Sequence, residues 1–372
     1  MSKNDKAVIE QRRRSEASLS RCIQKVLDTR RRFIDDCLQL APLLRSYNLD
    51  RANLSDAHRI SAIIATLGRP ASLVRCLASL TTQTASVSEV VVVHCGDDDE
   101  TKLVASDERW KAAGMNVRYY RYPERNCAAQ RNFAIEHATH ENLLLIDDDV
   151  EVDSCWAEEL FQPIWKDPQV GATMGNLINQ PMAAPTPFWR VYRILLHGKS
   201  RGLKPGMLVG AALPNGFPGD AKEPIACEWV GGGASAIRRE AFRSVGGFAS
   251  FFKGSSPGED LDLGYRLSRT WKVYYVPTAT CIHHQSKAAR ERLDQHQYLS
   301  MRSRFAILSV SMCKGRVKAI AHVALWAFVQ GLSELAALRR GVLRSDLLHA
   351  WVGRLRGLMS CLFWHPEMSD EL

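Results

Sequence analysis

The chain lacks the roughly 18 uninterrupted apolar residues that a membrane-spanning helix needs. Its nearest approach, residues 319–338 (AIAHVALWAFVQGLSELAAL), is broken by His322, Gln330 and Glu334, which fits a buried or interfacial helix better than a membrane span. Cysteine is present but unorganised: the 10 cysteines are scattered, with no CxxC pair and no Cys/His cluster at zinc spacing. That excludes a zinc module and a disulfide framework and suits a reducing cytosol. The N-terminus, MSKNDKAVIEQRRRSEASL, carries charge where a secretory leader needs an apolar core, so secretion is not expected. Internal repeats and low-complexity tracts are missing as well. What is present is globular in composition, with 46% hydrophobic and 24% charged residues over 372 positions, enough for one large or two smaller domains. The net charge of +9 and pI near 9.1 favour an acidic partner: a nucleotide, a nucleic acid or an anionic membrane surface. Nucleic acid is the least favoured, because the basic residues are mostly terminal and no aromatic-basic interleaving of an RNA-binding module occurs.

Three zones follow from the patterning. Residues 1–57 read as a basic helical extension, with Leu19, Cys22, Ile23 and Val26 on one stripe. Residues 58–285 alternate short β-branched runs (RISAIIAT, EVVVVH, VRYYRY, NLLLI) with helical stretches (PASLVRCLASL, AAQRNFAIEHA). This rhythm predicts an α/β domain with a mostly parallel central sheet flanked by helices and its site at the carboxyl ends of the strands. Within it, residues 179–224 hold seven of the 15 prolines and read as a long irregular insertion, expected to shape an acceptor side or a lid, with Phe188 and Trp189 available to stack on a sugar or lipid. Residues 286–372 are basic and helical. Their stripe Leu348, Trp351, Leu355, Leu358 and Leu362 predicts a helix docked on its own domain, with a basic amphipathic helix lying on a membrane as the alternative.

Four segments carry chemistry. LLLIDDDVEVD, residues 143–153, runs from a buried strand straight into three aspartates. Alternation turns Asp147 and Asp149 to one side, where two hard oxygen donors suit Mg²⁺ or Mn²⁺; an acidic helix cap would use the same residues differently. A phosphatase-type nucleophile is disfavoured because Glu151 stands where that pattern has a small hydroxyl residue or valine. In GEDLDLGYRLSR, Glu259 and Asp260 open a helix whose dipole favours an ionised carboxylate, hence a general base or a plain cap. WVGGGASAIRRE offers Gly231 to Gly233 for close backbone approach to a ligand or a tight turn. VYYVPTATCIHH ends in His283 and His284, either of which can bind metal or phosphate.

In this order, together with SAIIATLGRP and EVVVVHCGDDDET, these blocks resemble the family 2 glycosyltransferases of the GT-A fold across about residues 58–285. The resemblance implies an inverting enzyme with a nucleotide-diphosphate sugar donor and a divalent cation. It places Asp147 and Asp149 in a DxD motif, Asp149 as the direct metal ligand and Asp147 nearer the sugar, with His283 following the last sheet strand as a further ligand. Asp260 becomes the base on the acceptor hydroxyl, with Glu259 beside it. Thr66, Arg69, Arg131, Gly232 and Gly233 fall on the donor side, as does Asp148, expected to tolerate change best of the three aspartates. The family's second strand ends in Asp-Asp-Gly-Ser, whereas this chain has His94-Cys95-Gly96-Asp97; Asp97 is taken as the nucleotide contact. The expected protein is a cytoplasmic glycosyltransferase acting on a glycan or lipid-linked acceptor in cell-surface polysaccharide synthesis, open to peripheral contact with the inner membrane face through its C-terminal helices. A non-catalytic carbohydrate-binding relative is the alternative.

Overall fold

The β-branched run ISAIIAT forms the first strand in the computed structural model, which describes residues 58–180, 185–286, 291–337 and 344–367. The basic helix expected within residues 1–57 lies outside the described residues. The elements run β1 (Ile60–Thr66), α1 (Pro70–Thr81), β2 (Val87–His94), α2 (Glu100–Ala105), α3 (Glu108–Ala112), β3 (Asn116–Arg121), α4 (Cys127–His137), β4 (Asn142–Ile146), β5 (Val150–Val152), α5 (Trp156–Lys166) and β6 (Val170–Leu177). Next come α6 (Pro187–Gly202), β7 (Leu208–Val209), β8 (Leu213–Pro214), β9 (Ile225–Ala226), β10 (Ala234–Arg238), α7 (Arg239–Ser244), α8 (Glu259–Leu267) and β11 (Lys272–His283). A helical layer completes the chain: α9 (Leu293–Ala306), a π-helical turn (Ile307–Ser311), α10 (Arg316–Ala337) and α11 (Arg344–Phe363).

The α/β class is as expected, and the sheet is mixed. Its order is β3-β2-β1-β4-β10-β6-β11-β5, with β9 added on β11. Parallel pairing holds for β3-β2, β2-β1, β1-β4 and β6-β11; β10 and the edge strands β5 and β9 pair antiparallel. Strand β4 is buried at all five positions and apolar from Leu143 to Ile146, as a strand enclosed on both faces must be. The reversed β10 matters most for the site, since its first residue Ala234 pairs with Ile146, the last of β4. The glycines before β10 are therefore delivered to the aspartates after β4. Helix α1 starts with Pro70 in its first turn and buries Leu73, Cys76, Leu77 and Leu80, the stripe that the sequence pattern marks.

Two expectations are corrected. Residues 179–224 are not irregular throughout: PFWRVYRILLHGKSRG forms α6, entered at Pro187 and kinked at Gly198, and β7 pairs with β8. Trp189 packs edge-on to Tyr192, their centroids 5.3 Å apart, and joins the apolar cluster of the C-terminal layer, while Phe188 is exposed. The stripe on α11 is not the docking face either. Leu348 and Leu355 are 62% and 64% exposed. The helix docks instead through Gly353 and Gly357, where a Cβ would collide with Asp294 and Met301 of α9; two small residues four apart let the helices approach closely. Among the described residues no helix is long and apolar enough to cross a membrane.

One buried acid supports the sheet. Glu89 of β2, 3% exposed, accepts hydrogen bonds from Ser61 Oγ (2.5 Å), Arg118 Nη1 (2.7 Å), and Thr139 N (2.7 Å) and Oγ1 (2.8 Å). Burial pushes its carboxyl up, but the donors outweigh burial and hold it below its ordinary value. A carboxyl lowered on folding contributes stability above its unfolded pKa and loses it as pH falls through the folded one. Glu89→Gln is expected to cost about 1–3 kcal/mol at neutral pH and to flatten the acid limb of stability. Urea unfolding at a series of pH values checks both, and an acid limb as steep as that of the wild type would refute the assignment.

Candidate functional site

The loop after β4 is the centre of the site. Asp147, Asp149 and His283 bring one ligand atom each within 4.8 Å of one another, and they are the only such group of three acidic, His or Cys ligands among the described residues. Asp149 Oδ1 lies 3.0 Å from His283 Nε2, delivered by the end of β11. Asp149 Oδ2 accepts from Ser286 N at 2.8 Å and pairs with Arg69 Nη1 at 3.1 Å. Burial opposes the charge on Asp149, but His283, Arg69 and the Ser286 amide hold its carboxyl at about 2. The bond to Asp149 raises the His283 pKa against burial. Two carboxylates and an imidazole are a fitting donor set for Mn²⁺ or Mg²⁺.

Asp148 occupies a different environment. It is fully buried, accepts from Thr66 Oγ1, and pairs with Arg69 through Nη2 at 2.7 Å and Nε at 3.0 Å. Burial pushes its carboxyl up to about 7 despite the Arg69 and Thr66 contacts. Thr66 and Arg69, at the end of β1 and the start of α1, therefore bind the aspartate loop directly while lining the cleft. The expected tolerance of position 148 gives way to a structural role. The carboxylates facing the cleft are its two neighbours.

Across the cleft stands the second acidic set. Arg131 of α4, 2% exposed, donates from Nη2 to Asp147 Oδ1 at 2.6 Å and from Nη1 to Glu259 Oε1 at 2.5 Å. Glu259, at the start of α8, is pushed up to about 8 by burial and by neighbouring Asp260, against the pull of Arg131. Asp260 accepts from Gly232 N (3.1 Å) and Leu261 N (2.8 Å). Burial still raises its pKa over these amides, so the helix dipole alone does not decide its charge. Gly232 and Gly233 cross this junction with no room for a side chain: a Cβ at Gly232 would sit 2.7 Å from Arg131 Nη1, and one at Gly233 would collide with Asp147. Close approach, not an unusual φ, is what demands glycine here.

The resulting cleft, about 500 Å³, is lined by Thr66, Arg69, Arg131, Asp147, Asp149, Glu259 and His283. The structure does not bring Asp97 into it. Asp97 is fully exposed and reaches only Arg121 at 3.4 Å, whereas Asp98 turns inward to His94 Nε2 at 3.0 Å and lies against Gly68 of the β1–α1 loop. Lining residues missed from sequence include Ser255, and Ser286, Glu291 and His296 from beyond residue 285; Glu291 accepts from Ser255 N at 2.9 Å. The polar run ERLDQHQ had no pattern that tied it to a cleft. Asp148→Ala, which removes the acceptor of Thr66 Oγ1 and leaves Arg69 with Asp149 alone, is expected to destabilise the fold by about 3 kcal/mol. Thermal unfolding with chelator present checks this, and a melting temperature equal to that of the wild type would contradict the buried role.

Residues 61–246 match the family described as glycosyl transferase family 2. The O-antigen biosynthesis protein RfbC of Myxococcus xanthus is 26% identical over 258 residues, a match covering 62% of this chain but only 18% of the length of that relative. The N-acetylglucosaminyl-diphospho-decaprenol L-rhamnosyltransferase of Mycobacterium tuberculosis is 25% identical over 247 residues, covering 64% of this chain and 80% of that one. Among solved structures, a mannosyltransferase of Pyrobaculum calidifontis in complex with GDP-Man and Mn²⁺ overlaps at TM-score 0.47 with 16% identity, over 88% of this chain and 96% of its own. With half of the chain matched by the family, the protein belongs to glycosyl transferase family 2 and is a glycosyltransferase.

Proposed function

We propose that this glycosyltransferase moves a sugar, with inversion at the anomeric carbon, from a nucleotide-diphosphate donor to a hydroxyl of a glycan or lipid-linked acceptor in cell-surface polysaccharide synthesis. One observation carries the reading: Asp147, Asp149 and His283 line one cleft with Glu259, Arg131 joins Asp147 to Glu259, and Asp260 stands next to Glu259 at the head of α8. A single displacement needs acids in two places, one beside the departing diphosphate and one beside the attacking hydroxyl. The lipid-linked class of acceptor is supported by the Mycobacterium relative, whose name specifies a diphospho-decaprenol substrate, and the polysaccharide setting by the Myxococcus O-antigen relative. A cytoplasmic protein in peripheral contact with the membrane through α10 and α11 belongs to the same proposal.

Asp149, Asp147 and His283 would hold Mg²⁺ or Mn²⁺, which would supply positive charge beside the leaving diphosphate. Thr66 and Arg69 fix the aspartate loop and face the donor. Gly232 and Gly233 let the donor pass close to the backbone. Asp260 takes the proton of the acceptor hydroxyl, and its raised pKa makes it a better base near neutrality than an ordinary aspartate. Glu259 holds Arg131 in place. Residues 58–285 form the catalytic domain in this reading, and the nucleobase is met on the His94–Asp98 side of the sheet.

A panel of nucleotide sugars with Mn²⁺, scored for donor hydrolysis, tests the proposal. The wild type is expected to turn over at least one donor, and Asp149→Ala to lose metal affinity and turnover by about 10- to 100-fold. A wild type that binds no nucleotide diphosphate would defeat the reading. Asp260→Asn is expected to abolish transfer while keeping donor affinity; if donor affinity disappears as well, Asp260 is not the base.

A further inference from the structure

Gly254, Ser256 and Gly258 alternate through the loop before α8 with φ of 63°, 51° and 92°. All three lie in the left-handed region, and Ser256 lacks the freedom that glycine has there. A residue with a side chain persists in that conformation only where its surroundings fix it from several sides. Glu259 opens α8 directly after Gly258, with Asp260 next to it. Whatever fixes this loop therefore also sets where the two acids stand.

On the core side the hold is Asn126, the N-cap of α4. Its Oδ1 accepts from Ala129 N at 3.2 Å and from Ser256 Oγ at 3.1 Å, and its Nδ2 donates to Phe252 O at 3.1 Å. Cys127 N donates to Gly254 O at 3.0 Å, and Ala128 N to Ser256 Oγ at 3.3 Å. Ser256 is fully buried in these contacts. Ser255, between Gly254 and Ser256, bonds instead to Glu291.

Glu291 lies two residues before α9, well past residue 246, where the family match ends. Its Oε1 accepts from Ser255 N at 2.9 Å and its Oε2 from Ser255 Oγ at 2.7 Å. Two charge-assisted bonds to one residue fix orientation as well as distance. Arg125 Nε stands 3.8 Å from Oε1, and the Glu291 side chain is only 8% exposed. The grip is close: a Cβ on Gly254 would collide with Glu291 Oε1, so that glycine answers both to its φ and to this contact. Gly254, Ser255 and Glu291 line the same cleft as Glu259.

We propose that Glu291 is a positioning residue for the transfer: by gripping Ser255 it keeps the loop 254–258 wound and holds Glu259 and Asp260 in place at the head of α8. The inference rests on the transferase reading and deepens it, by naming a residue outside the family-matched segment that fixes the acids. Glu291 acts here through the loop, without bonding donor or acceptor. Misplacing a reacting group by about 1 Å can lower a rate by about 100-fold, so a modest loosening of the loop is enough to register.

Two measurements on the full chain test the role, using Glu291→Ala and Glu291→Gln. The first is amide hydrogen exchange without donor or metal. The amides of Ser255, Ser256, Glu259 and Asp262 bond to Glu291, Lys253, Ser256 and Gly258. Glu291→Ala is expected to speed their exchange by at least about tenfold while β1 and β4 keep theirs. Glu291→Gln is expected to exchange like the wild type, because its amide can donate to Ser255 Oγ while its carbonyl accepts from Ser255 N. The second measurement is kcat and KM for hydrolysis of a nucleotide sugar that the wild type turns over, with water in place of the acceptor hydroxyl. Glu291→Ala is expected to lower kcat by about 10- to 100-fold with donor KM unchanged, and Glu291→Gln to recover most of the loss. Ser255→Ala, which removes one of the two bonds, is expected to move both readouts the same way by less.

Unchanged loop exchange in Glu291→Ala and Ser255→Ala removes the grip. Faster exchange with wild-type kcat makes the contact structural only and overturns the proposal. A change confined to donor KM assigns Glu291 to donor binding and overturns it as well. A wild type that turns over no donor defeats the transferase reading instead, and the exchange measurement still decides whether the grip exists.

Discussion

The Arg131 guanidinium is the constraint on which the cleft depends. It is buried between Asp147, after β4, and Glu259, at the head of α8, and its ring-facing side lies 5.7 Å from the Phe248 centroid. Burial works against its charge, but the surrounding acids keep it protonated. A buried ion pair is weak support for stability in itself, since apolar residues of the same volume often serve as well. What Arg131 adds is position: α4, the aspartate loop and α8 are separate in sequence, and one planar cation with two donor edges fixes their spacing. Gly232 must be bare because the guanidinium passes under it.

The same constraint explains how the acids differ though their sequence is monotonous. Asp147 binds Arg131, Asp148 is sunk beneath Arg69 and Thr66, and Asp149 meets His283, Arg69 and the Ser286 amide. Three neighbouring carboxylates therefore have three distinct environments, and Asp148 and Asp149 are driven in opposite directions by burial on one side and donors on the other. Adjacent titratable groups pushed apart in this way are what a site needs if one acid is to hold structure and another a cation.

Much of this was legible from pattern. The strand and helix rhythm from Ile60 to His283, the apolar face of α1 and the pairing of Asp147 with Asp149 all follow from periodicity. Other features depend on tertiary contacts that periodicity does not encode. The stripe on α11 is a true helical stripe, but the glycine face of GRLRG, between it and α9, is the one that docks, because close approach gains more contact than leucines at the wrong angle. Asp97 and Asp98 are indistinguishable by type, and only the turn geometry aims Asp98 at His94. Residues 187–202 looked irregular because of the seven prolines in 179–224, yet Pro187 begins a helix.

The C-terminal layer then has a standing that its place after the α/β core would not suggest. The family match ends at residue 246, before Glu259, Asp260 and His283, so the second half of the cleft rests on local packing. That packing comes largely from the layer and the residues leading into it: Glu291 accepts from Ser255 in the loop before α8, Ser286 N reaches Asp149, and Ser311 bonds Asp262. The acid that Asp262 presents to Ser311 also pairs with Arg266 at 2.7 Å, which ties α8 to the layer and to its own next turn at once. Displacing the π-helical turn would therefore move the start of α8, and with it Asp260, relative to the aspartate loop. The layer is in this way mechanically connected to Asp260 without touching it.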